Sequence, residues 1–114
     1  MKVVFIAGPF RGKTPWDVAQ NVRRAEALAF EVAKLGAMPL CPHTNTAHFD
    51  GTLTDEFWLR GTSELLRRSD AVMLTPDWGR SSGARAEVEL ADAHGIPVFR
   101  SINAIAAYLQ GMEP

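Results

Sequence analysis

The sequence contains little cysteine and no long apolar run, and each shortage excludes a class of protein. Cys41 is the single cysteine among 114 residues, which rules out an intrachain disulfide framework and fits a reducing compartment. No stretch approaches the roughly 18 consecutive apolar residues of a membrane-spanning helix. The first residues also lack the pattern of a signal peptide. We therefore expect a cytoplasmic protein that does not have a membrane as its partner.

An excess of charge of one sign is absent as well. The 12 Lys and Arg residues and the 13 Asp and Glu residues leave a formal net charge of -1. This balance does not favour a nucleic-acid polymer or an acidic membrane surface as a partner. With 46% hydrophobic and 22% charged residues, the composition is that of a globular protein. The length suits one compact domain, so we predict a single domain over residues 1–114.

Short apolar runs alternate with longer segments in which apolar residues recur at helical spacing. The runs predict strands at Lys2–Ala7, Ala37–Cys41, Ala71–Thr75 and Ile96–Arg100. The other segments predict helices at Pro15–Leu35, Thr54–Ser69, Ser82–His94 and Ser101–Gln110, and a loop at His43–Gly51. The alternation predicts an α/β protein, a flavodoxin/Rossmann-like three-layer sandwich with a parallel sheet of four to five strands. Ligands of such sheets bind beyond the carboxyl ends of the strands.

The first helix carries its own start and stop signals. Thr14 and Asp17 match a capping box, and Pro15 stands at the first helical position. Gly36 stands where a helix commonly ends. The turn that precedes this helix is therefore bounded by Gly8 and Thr14.

That turn, Gly8-Pro-Phe-Arg-Gly-Lys-Thr14, is one residue shorter between its glycines than a phosphate-binding P-loop. Glycines allow close approach of the backbone, and N–H groups at the start of a helix favour an anion. The candidate phosphate-binding residues are Gly8, Pro9, Phe10, Arg11 and Gly12. The short spacing and Pro9 argue against a nucleoside triphosphatase. A plain strand-to-helix turn with solvated basic residues remains an alternative.

A second candidate segment, from Asp77 to Glu87, follows the third strand and opens the third predicted helix. Ser81 can cap that helix, and its hydroxyl also suits a phosphate or a sugar. Gly83 is a further candidate for binding the substrate or its phosphate, because glycine allows a ligand to approach the backbone closely. Glu87 follows Gly83 by four residues and therefore shares its helix face. A carboxylate beside C1′ of a sugar can act as a nucleophile, although a carboxylate near a helix start is also favoured by the helix dipole alone. Trp78 can stack on a base.

The histidines do not predict a metal site. His43 and His48 lie five residues apart in the predicted loop, whereas a metal site needs three or four converging ligands. We therefore predict no metal ion and no cofactor. Cys41 follows a buried strand and is expected to be a small core residue.

In their order and spacing, several short motifs of this chain resemble the nucleoside 2-deoxyribosyltransferase-like superfamily, which includes nucleotide N-hydrolases. The resemblance covers residues 2–100 and points to a small uncharacterised branch of that superfamily. It is carried by Gly8-x-x-Arg11-Gly12, Asn21 with Leu35-Gly36, Leu65 to Asp70-Ala71, Trp78-x-x-Ser81-x-Gly83-x-x-x-Glu87, and Ala91-x-x-x-Gly95-x-Pro97-Val98.

The resemblance implies a hydrolase or transferase that acts on the N-glycosidic bond of a nucleoside or a nucleoside 5′-monophosphate. Glu87 would attack C1′ and form a covalent glycosyl-enzyme, which water or a second base would resolve. Backbone amides around Gly8–Gly12, together with Arg11 and Ser81, would hold a 5′-phosphate or 5′-hydroxyl. Trp78, Phe10, His43 and Asp77 are the candidates on the side of the base. The resemblance also implies a homodimer or a higher homo-oligomer.

Two positions depart from the pattern of that superfamily. Its first strand usually carries a Tyr whose hydroxyl contacts the nucleophile, and this chain has Phe5. It usually carries an Asp eight residues before the Asp of the third strand, and counting back from Asp70 gives Thr62. General acid help for a leaving base is typically worth about 10²–10⁴ in rate. The alternative to an enzyme is therefore a catalytically weak or inactive nucleotide-binding module.

Overall fold

The computed structural model describes residues 1–49 and 51–111, and within them four parallel strands form one sheet. The strands are β1 (Val3–Ala7), β2 (Met38–Leu40), β3 (Ala71–Leu74) and β4 (Val98–Phe99), in the order β2-β1-β3-β4. The helices are α1 (Pro15–Lys34), α2 (Pro42–Asn45), α3 (Asp55–Arg67), α4 (Ser82–Ala93) and α5 (Ile102–Leu109), with a 3₁₀ turn at Trp78–Arg80. The predicted α/β class and parallel sheet are confirmed.

Alternate residues of β1 belong to two separate cores, one on each face of the sheet. Val4 and Ile6 pack in a cluster that includes Ile105 of α5 and several residues of α1. Phe5 and Ala7 pack in a second cluster with residues of α3 and α4. Because successive side chains of a strand point to opposite faces, the sheet lies between two helical layers. This is the predicted three-layer sandwich. None of the described helices is long and apolar enough to cross a bilayer.

The predicted ends of α1 are confirmed in atomic detail. The backbone N–H of Asp17 donates to Thr14 Oγ1, and the backbone N–H of Thr14 donates to Asp17 Oδ2, both at 3.2 Å. This reciprocal capping box satisfies two N–H groups at the helix start, and such a cap typically stabilises by about 1 kcal/mol. Gly36 follows the helix with φ of +95°, a left-handed conformation that glycine adopts without strain.

The expected loop at His43–Gly51 is wrong in its first part, because a short helix, α2, occupies Pro42–Asn45. Pro42 stands at the first helical position, where its missing N–H is no loss. The backbone N–H groups of Thr44 and Asn45 both donate to the carbonyl of Cys41. Helix α2 therefore begins directly at the end of β2 and brings His43 back toward β1.

The strand order places the segments after β1 and β3 side by side. From β1 the chain proceeds to β2 on one side of the sheet, and from β3 to β4 on the other. The backbone N–H of Thr75, just past β3, donates to the carbonyl of Ala7 at 2.9 Å. This is the switch point at which parallel sheets open a crevice for ligands.

Candidate functional site

Two glycines of the first turn are required by packing within the chain itself. A Cβ atom at Gly8 would come 2.4 Å from Thr75 Oγ1, and one at Gly12 would come 2.5 Å from the Cβ of Asp17. A Cβ atom essentially never comes this close to an atom to which it is not bonded. Gly8 therefore allows the ends of β1 and β3 to contact each other, and Gly12 allows the turn to pack directly against the start of α1.

Two buried side chains hold the carbonyl groups of the first turn. The Nδ2 of Asn21 donates to the carbonyl oxygens of Phe10 and Arg11, at 3.1 and 3.3 Å. The Nε2 of His43 lies 2.9 Å from the carbonyl oxygen of Pro9, and it must carry the proton because a carbonyl only accepts. Three consecutive carbonyls of the turn are thus directed toward the protein interior.

The N–H groups of the same peptide units point the other way. The carbonyl of one residue and the N–H of the next are on opposite sides of a trans peptide unit, and the described chain contains no cis bond. The N–H groups of Phe10, Arg11 and Gly12 therefore point away from Asn21 and His43. They donate no hydrogen bond to any described residue. A row of successive unpaired N–H groups is an arrangement that binds anions.

Asn21 also joins the first turn to the segment after β3. It is only 3% exposed, and its Oδ1 accepts from Arg24 and from Arg80, each at 3.0 Å. All four hydrogen-bonding positions of its amide are thereby used. Arg80 donates in addition to Asp77 Oδ2 through Nε at 3.1 Å and through a terminal nitrogen at 2.9 Å.

Asp77 accepts hydrogen bonds from both ends of this segment. Thr75 donates to its Oδ1 at 2.8 Å, and Arg80 donates to its Oδ2. Burial acts to raise the pKa of Asp77, but these hydrogen bonds outweigh it and hold the pKa below its ordinary value. Asp77, a candidate on the side of the base, is therefore an ionised acceptor at neutral pH.

His43, the second candidate on that side, lies beneath the first turn. It is 8% exposed, and its ring meets the ring of Phe10 edge to face at 5.4 Å between centroids. Burial lowers the pKa of His43, although its contacts with the carbonyls of Pro9 and Gly8 act in the opposite direction. The imidazole is neutral at pH 7, and its Nε2 proton is engaged by Pro9.

Glu87, the candidate nucleophile, lies on the inner side of α4. It shares this side with Ala84 and Ala91, which are buried, and with Val88, which packs on the second core. Its carboxyl group is half-buried and has no hydrogen bond or ion pair with the described part of the chain. Burial therefore raises the pKa of Glu87 to about 8. A half-buried, strongly shifted carboxyl group is typical of functional sites.

Phe5 and Thr62 lie on the same side of the sheet as Glu87. Phe5 is fully buried in the second core, with Leu66 of α3 and Ala91 of α4. Phenylalanine cannot donate a hydrogen bond to a carboxylate, which agrees with the unpartnered state of Glu87. Thr62 is half-buried on α3, the helix that packs beside α4.

Ser81 and Gly83 lie where the sequence predicts the start of a helix. Ser81 Oγ accepts from the backbone N–H of Ala84 at 3.1 Å and caps α4. A Cβ at Gly83 would meet only Ser81 Oγ, at 3.7 Å, which is an ordinary contact. Packing within the chain therefore does not require glycine at this exposed position. The missing side chain leaves room above the helix start.

Trp78 and Arg11 each have a partner at the surface. The guanidinium carbon of Arg100 lies 5.0 Å from the centroid of the Trp78 ring, and this ring also packs against the second core. Arg11 forms an ion pair with Asp55 at 3.3 Å, and both side chains are largely exposed. The structure thus brings the candidates of the two segments to one end of the sheet, with Arg11 at its outer rim.

Sequence reasoning missed the parts that Asn21, Arg24, Arg80 and Thr75 play in the site. Asn21 did leave a signal, since it is a polar residue on the inner side of α1, where its neighbours in the helix are buried. Arg80 left no comparable signal, because its contact with Asn21 spans 59 residues of sequence.

A surface groove of about 530 Å³ lies along α3, outside this end of the sheet, and is lined in part by Phe57, Leu59 and Gly61. It includes neither Glu87 nor the first turn.

Within residues 1–49 and 51–111, no group of three or more His, Cys, Asp or Glu side chains is placed to hold a metal ion.

Comparisons with known proteins agree with this fold. A family model described as "Domain of unknown function (DUF7768)" matches residues 2–101. The chain is similar to the crystal structure of a conserved protein from Enterococcus faecalis V583, with a TM-score of 0.67 and 22% identity over 86% of this chain. It spans only 61% of that protein. Curated protein sequences give no significant match.

The chain is also similar to a 2-deoxyribosyltransferase from the psychrotolerant bacterium Bacillus psychrosaccharolyticus. The TM-score is 0.65 and the identity 18%, over 94% of this chain and 95% of the other. At identities this low the likeness concerns the fold. The predicted nucleoside deoxyribosyltransferase-like fold is confirmed.

Proposed function

This chain belongs to the family described as "Domain of unknown function (DUF7768)", and we propose that it cleaves the N-glycosidic bond of a nucleoside or nucleoside 5′-monophosphate. The pentosyl group passes to water or to a second base, and Glu87 is the nucleophile at C1′. One observation carries the proposal: Glu87 is a half-buried carboxyl group without a partner among the described residues. It lies on α4, the helix that follows the switch point, in a fold shared with a 2-deoxyribosyltransferase.

The reaction proceeds in two displacements at C1′. In the first, a carboxylate oxygen of Glu87 bonds to C1′ while the bond from C1′ to the base breaks. The electron pair leaves with the base, which takes up a proton. In the second, an oxygen of water or a nitrogen of a second base bonds to C1′, loses a proton, and releases the Glu87 carboxylate. Both transition states resemble an oxocarbenium ion, which a carboxylate stabilises.

The first turn holds the 5′ end of the substrate in this proposal. The unpaired N–H groups of residues 10–12 supply donors for a 5′-phosphate or 5′-hydroxyl, and Ser81 supplies a hydroxyl from the neighbouring segment. Arg11 is able to turn toward a phosphate, because an exposed ion pair such as that with Asp55 is worth only about 0–1 kcal/mol.

The leaving base takes its proton from solvent. Neither polar candidate on the side of the base is suited to supply it, since Asp77 is ionised and His43 uses its Nε2 proton on Pro9. Loss of general acid help lowers a rate by about 10²–10⁴. We therefore expect slow turnover, with Trp78 and Phe10 bordering the base.

A second candidate function, a nucleotide-binding module without turnover, is favoured by one observation. Phe5 occupies the first strand without the hydroxyl that would contact the Glu87 carboxylate. In that case the first turn would bind a nucleotide, and Glu87 would remain protonated.

A homo-oligomer is part of the same proposal. Phe57 and Leu59 on α3 are 43% and 63% exposed beside the groove, and Gly61 lies within the same helix with open space around it. Glycine inside a helix costs about 1 kcal/mol relative to alanine, which close packing of a second helix would offset. Light scattering should give a mass above one chain, and Leu59→Glu should reduce it to one.

The activity is tested by incubating the protein with a panel of ribo- and 2′-deoxyribonucleosides and their 5′-monophosphates and measuring free base by chromatography. We expect base release by the wild type and a loss of about 10³-fold or more in Glu87→Gln. Glu89→Gln is the matched control, because Glu89 is an exposed carboxylate on the same helix.

Three other outcomes are informative. Equal base release by Glu87→Gln and the wild type would show that Glu87 is not the nucleophile. Nucleotide binding without base release would favour the binding module. Neither binding nor release with any member of the panel would reject both functions.

A further inference from the structure

Asn21 connects the two segments that form the candidate site. Its Nδ2 holds two carbonyls of the first turn, and its Oδ1 accepts from Arg80, which belongs to the segment after β3. We infer that Asn21 is a positioning residue that aims the N–H groups of residues 10–12 at a bound anion, and that Arg80 couples it to the segment that leads into α4. This inference rests on the proposed function, which assigns anion binding to the first turn.

The turn needs a positioning residue such as Asn21 because of its own composition. Gly8 and Gly12 give its backbone wide conformational freedom, and ordering one residue costs about 1–2 kcal/mol. If the turn were ordered only when a ligand arrives, this cost would be subtracted from the binding energy. Asn21 fixes two peptide units before any ligand is bound, and His43 fixes the preceding one. The three N–H groups are thereby preorganised.

Arg80 fixes the distance between the first turn and the segment after β3. Its Nε and one terminal nitrogen bind Asp77 Oδ2, and the same terminal nitrogen reaches Asn21 Oδ1. Asp77 is held in turn by Thr75, whose side chain packs directly on Gly8. The contacts form a closed ring through both segments, so a shift of one segment is transmitted to the other.

The charge of this ring also suits an anion nearby. Two guanidinium groups, those of Arg24 and Arg80, face the single carboxylate of Asp77, with Arg24 at 3.7 Å and Arg80 at 2.9 Å. These three groups together carry a net charge of +1 on the inner side of the turn, whereas the N–H groups of the turn point outward. Both guanidinium side chains are about half-exposed, at 52% for Arg24 and 55% for Arg80, so this charge acts on an anion mainly at short range and less at high salt.

The inference is tested by titrating the full-length ¹⁵N-labelled chain with inorganic phosphate and, separately, with AMP, while the amide resonances of residues 10–12 are followed. The variants are Asn21→Asp, which is nearly isosteric but loses both donated hydrogen bonds, and Arg80→Gln, at a half-exposed side chain. Gln20→Glu and Arg23→Gln are controls that make the same charge changes at neighbouring positions outside the ring. Thermal unfolding of each variant checks that it is folded.

We expect phosphate to shift the amides of residues 10–12 in the wild type and both controls. Asn21→Asp and Arg80→Gln should bind phosphate and AMP at least about tenfold more weakly, the effect of roughly 1.4 kcal/mol. Arg80→Lys, which keeps the charge but loses the fork, should recover part of the affinity. With a cleavable 5′-monophosphate, KM should rise more than kcat falls, and KM for the nucleoside should change less.

The outcomes separate this inference from the proposed function. If Asn21→Asp and Arg80→Gln bind phosphate as the wild type does, or if phosphate shifts no amide of the turn in the wild type, the inference is overturned, whatever the base-release assay shows. If binding depends on both residues but no substrate releases a base, the inference stands and the proposed reaction fails.

Discussion

Gly8 and Thr75 are in such close contact that a methyl group on Gly8 would lie 2.4 Å from the Thr75 hydroxyl oxygen. We expect Gly8→Ala to lower the free energy of unfolding by about 1–3 kcal/mol, because the ends of β1 and β3 must move apart. Urea denaturation measures the loss. Gly83→Ala is the control, since its new methyl group meets only an ordinary contact and the helix gains propensity. Equal stability of Gly8→Ala and the wild type would contradict the described junction.

The rate of base release should depend on the protonation of Glu87. Only the ionised carboxylate is a nucleophile, and its pKa lies at about 8, so roughly a tenth of the free protein is active at pH 7. We expect kcat/KM to rise with pH and to level off above about 8, since this ratio reports the pKa values of the free enzyme. A profile that is already flat at pH 6 would show that Glu87 is ionised there or that it is not the nucleophile.

Glu87 should also make stability depend on pH. Its pKa is about 8 in the folded chain and near 4.5 in the unfolded chain, so between these values the folded state binds more protons. The contribution of this group is full below the lower value and is lost as the pH rises through the upper one. The decline is at most about 1.4 kcal/mol per pH unit.

This decline can be isolated by comparing two variants. Unfolding free energies from urea denaturation across the window should fall with pH in the wild type relative to Glu87→Gln, which cannot titrate. Glu89→Gln should retain the decline of the unfolding free energy with pH, because Glu89 is exposed and this variant still contains Glu87. Parallel curves for the wild type and Glu87→Gln would contradict the raised pKa.

Phe5→Tyr should restore a hydrogen-bond donor to the candidate nucleophile. A phenolic hydroxyl that reaches the Glu87 carboxylate stabilises its charged form, so the pKa of Glu87 should fall below about 8 and kcat/KM at pH 7 should rise. The added oxygen overfills a fully buried position, at a cost of about 1–3 kcal/mol in stability. Carboxyl ¹³C NMR measures the pKa.

A second substitution at the same position tests whether the hydroxyl, and not a change in core packing, causes the shift in the pKa of Glu87. Phe5→Leu changes the same core position without adding a donor, and it should leave the pKa of Glu87 unchanged. If Phe5→Tyr and Phe5→Leu titrate alike, the hydroxyl does not reach the carboxylate.

Local signals predicted most of the fold. The apolar run of β1, the capping box of Thr14 and Asp17 and the left-handed Gly36 each depend on residues close in sequence, and each is confirmed. Strand β4 is shorter than predicted, Val98–Phe99 instead of Ile96–Arg100, because only its centre pairs with β3. Helix α2 was missed since four residues are too few to show helical periodicity.

The site was only partly predictable, because its geometry depends on distant residues. The glycines of the first turn were identified from spacing, but the Thr75 side chain that requires Gly8 to be glycine lies 67 positions away. The unpaired state of Glu87 depends on the burial of α4 against the sheet, which no local pattern expresses. The ring of Asn21, Arg80 and Asp77 forms only when β1 and β3 are neighbours.

The contact between Arg100 and Trp78 gives the molecule an optical reporter of its own. A cation 5.0 Å from the centre of an indole ring perturbs its electrons, and this ring lies in the segment that follows β3. A ligand that enters between the strand ends and moves Arg100 changes the surroundings of Trp78. We therefore expect the intrinsic fluorescence of the unlabelled protein to change when a ligand occupies the crevice, and Trp78→Phe identifies the part of the signal that arises there.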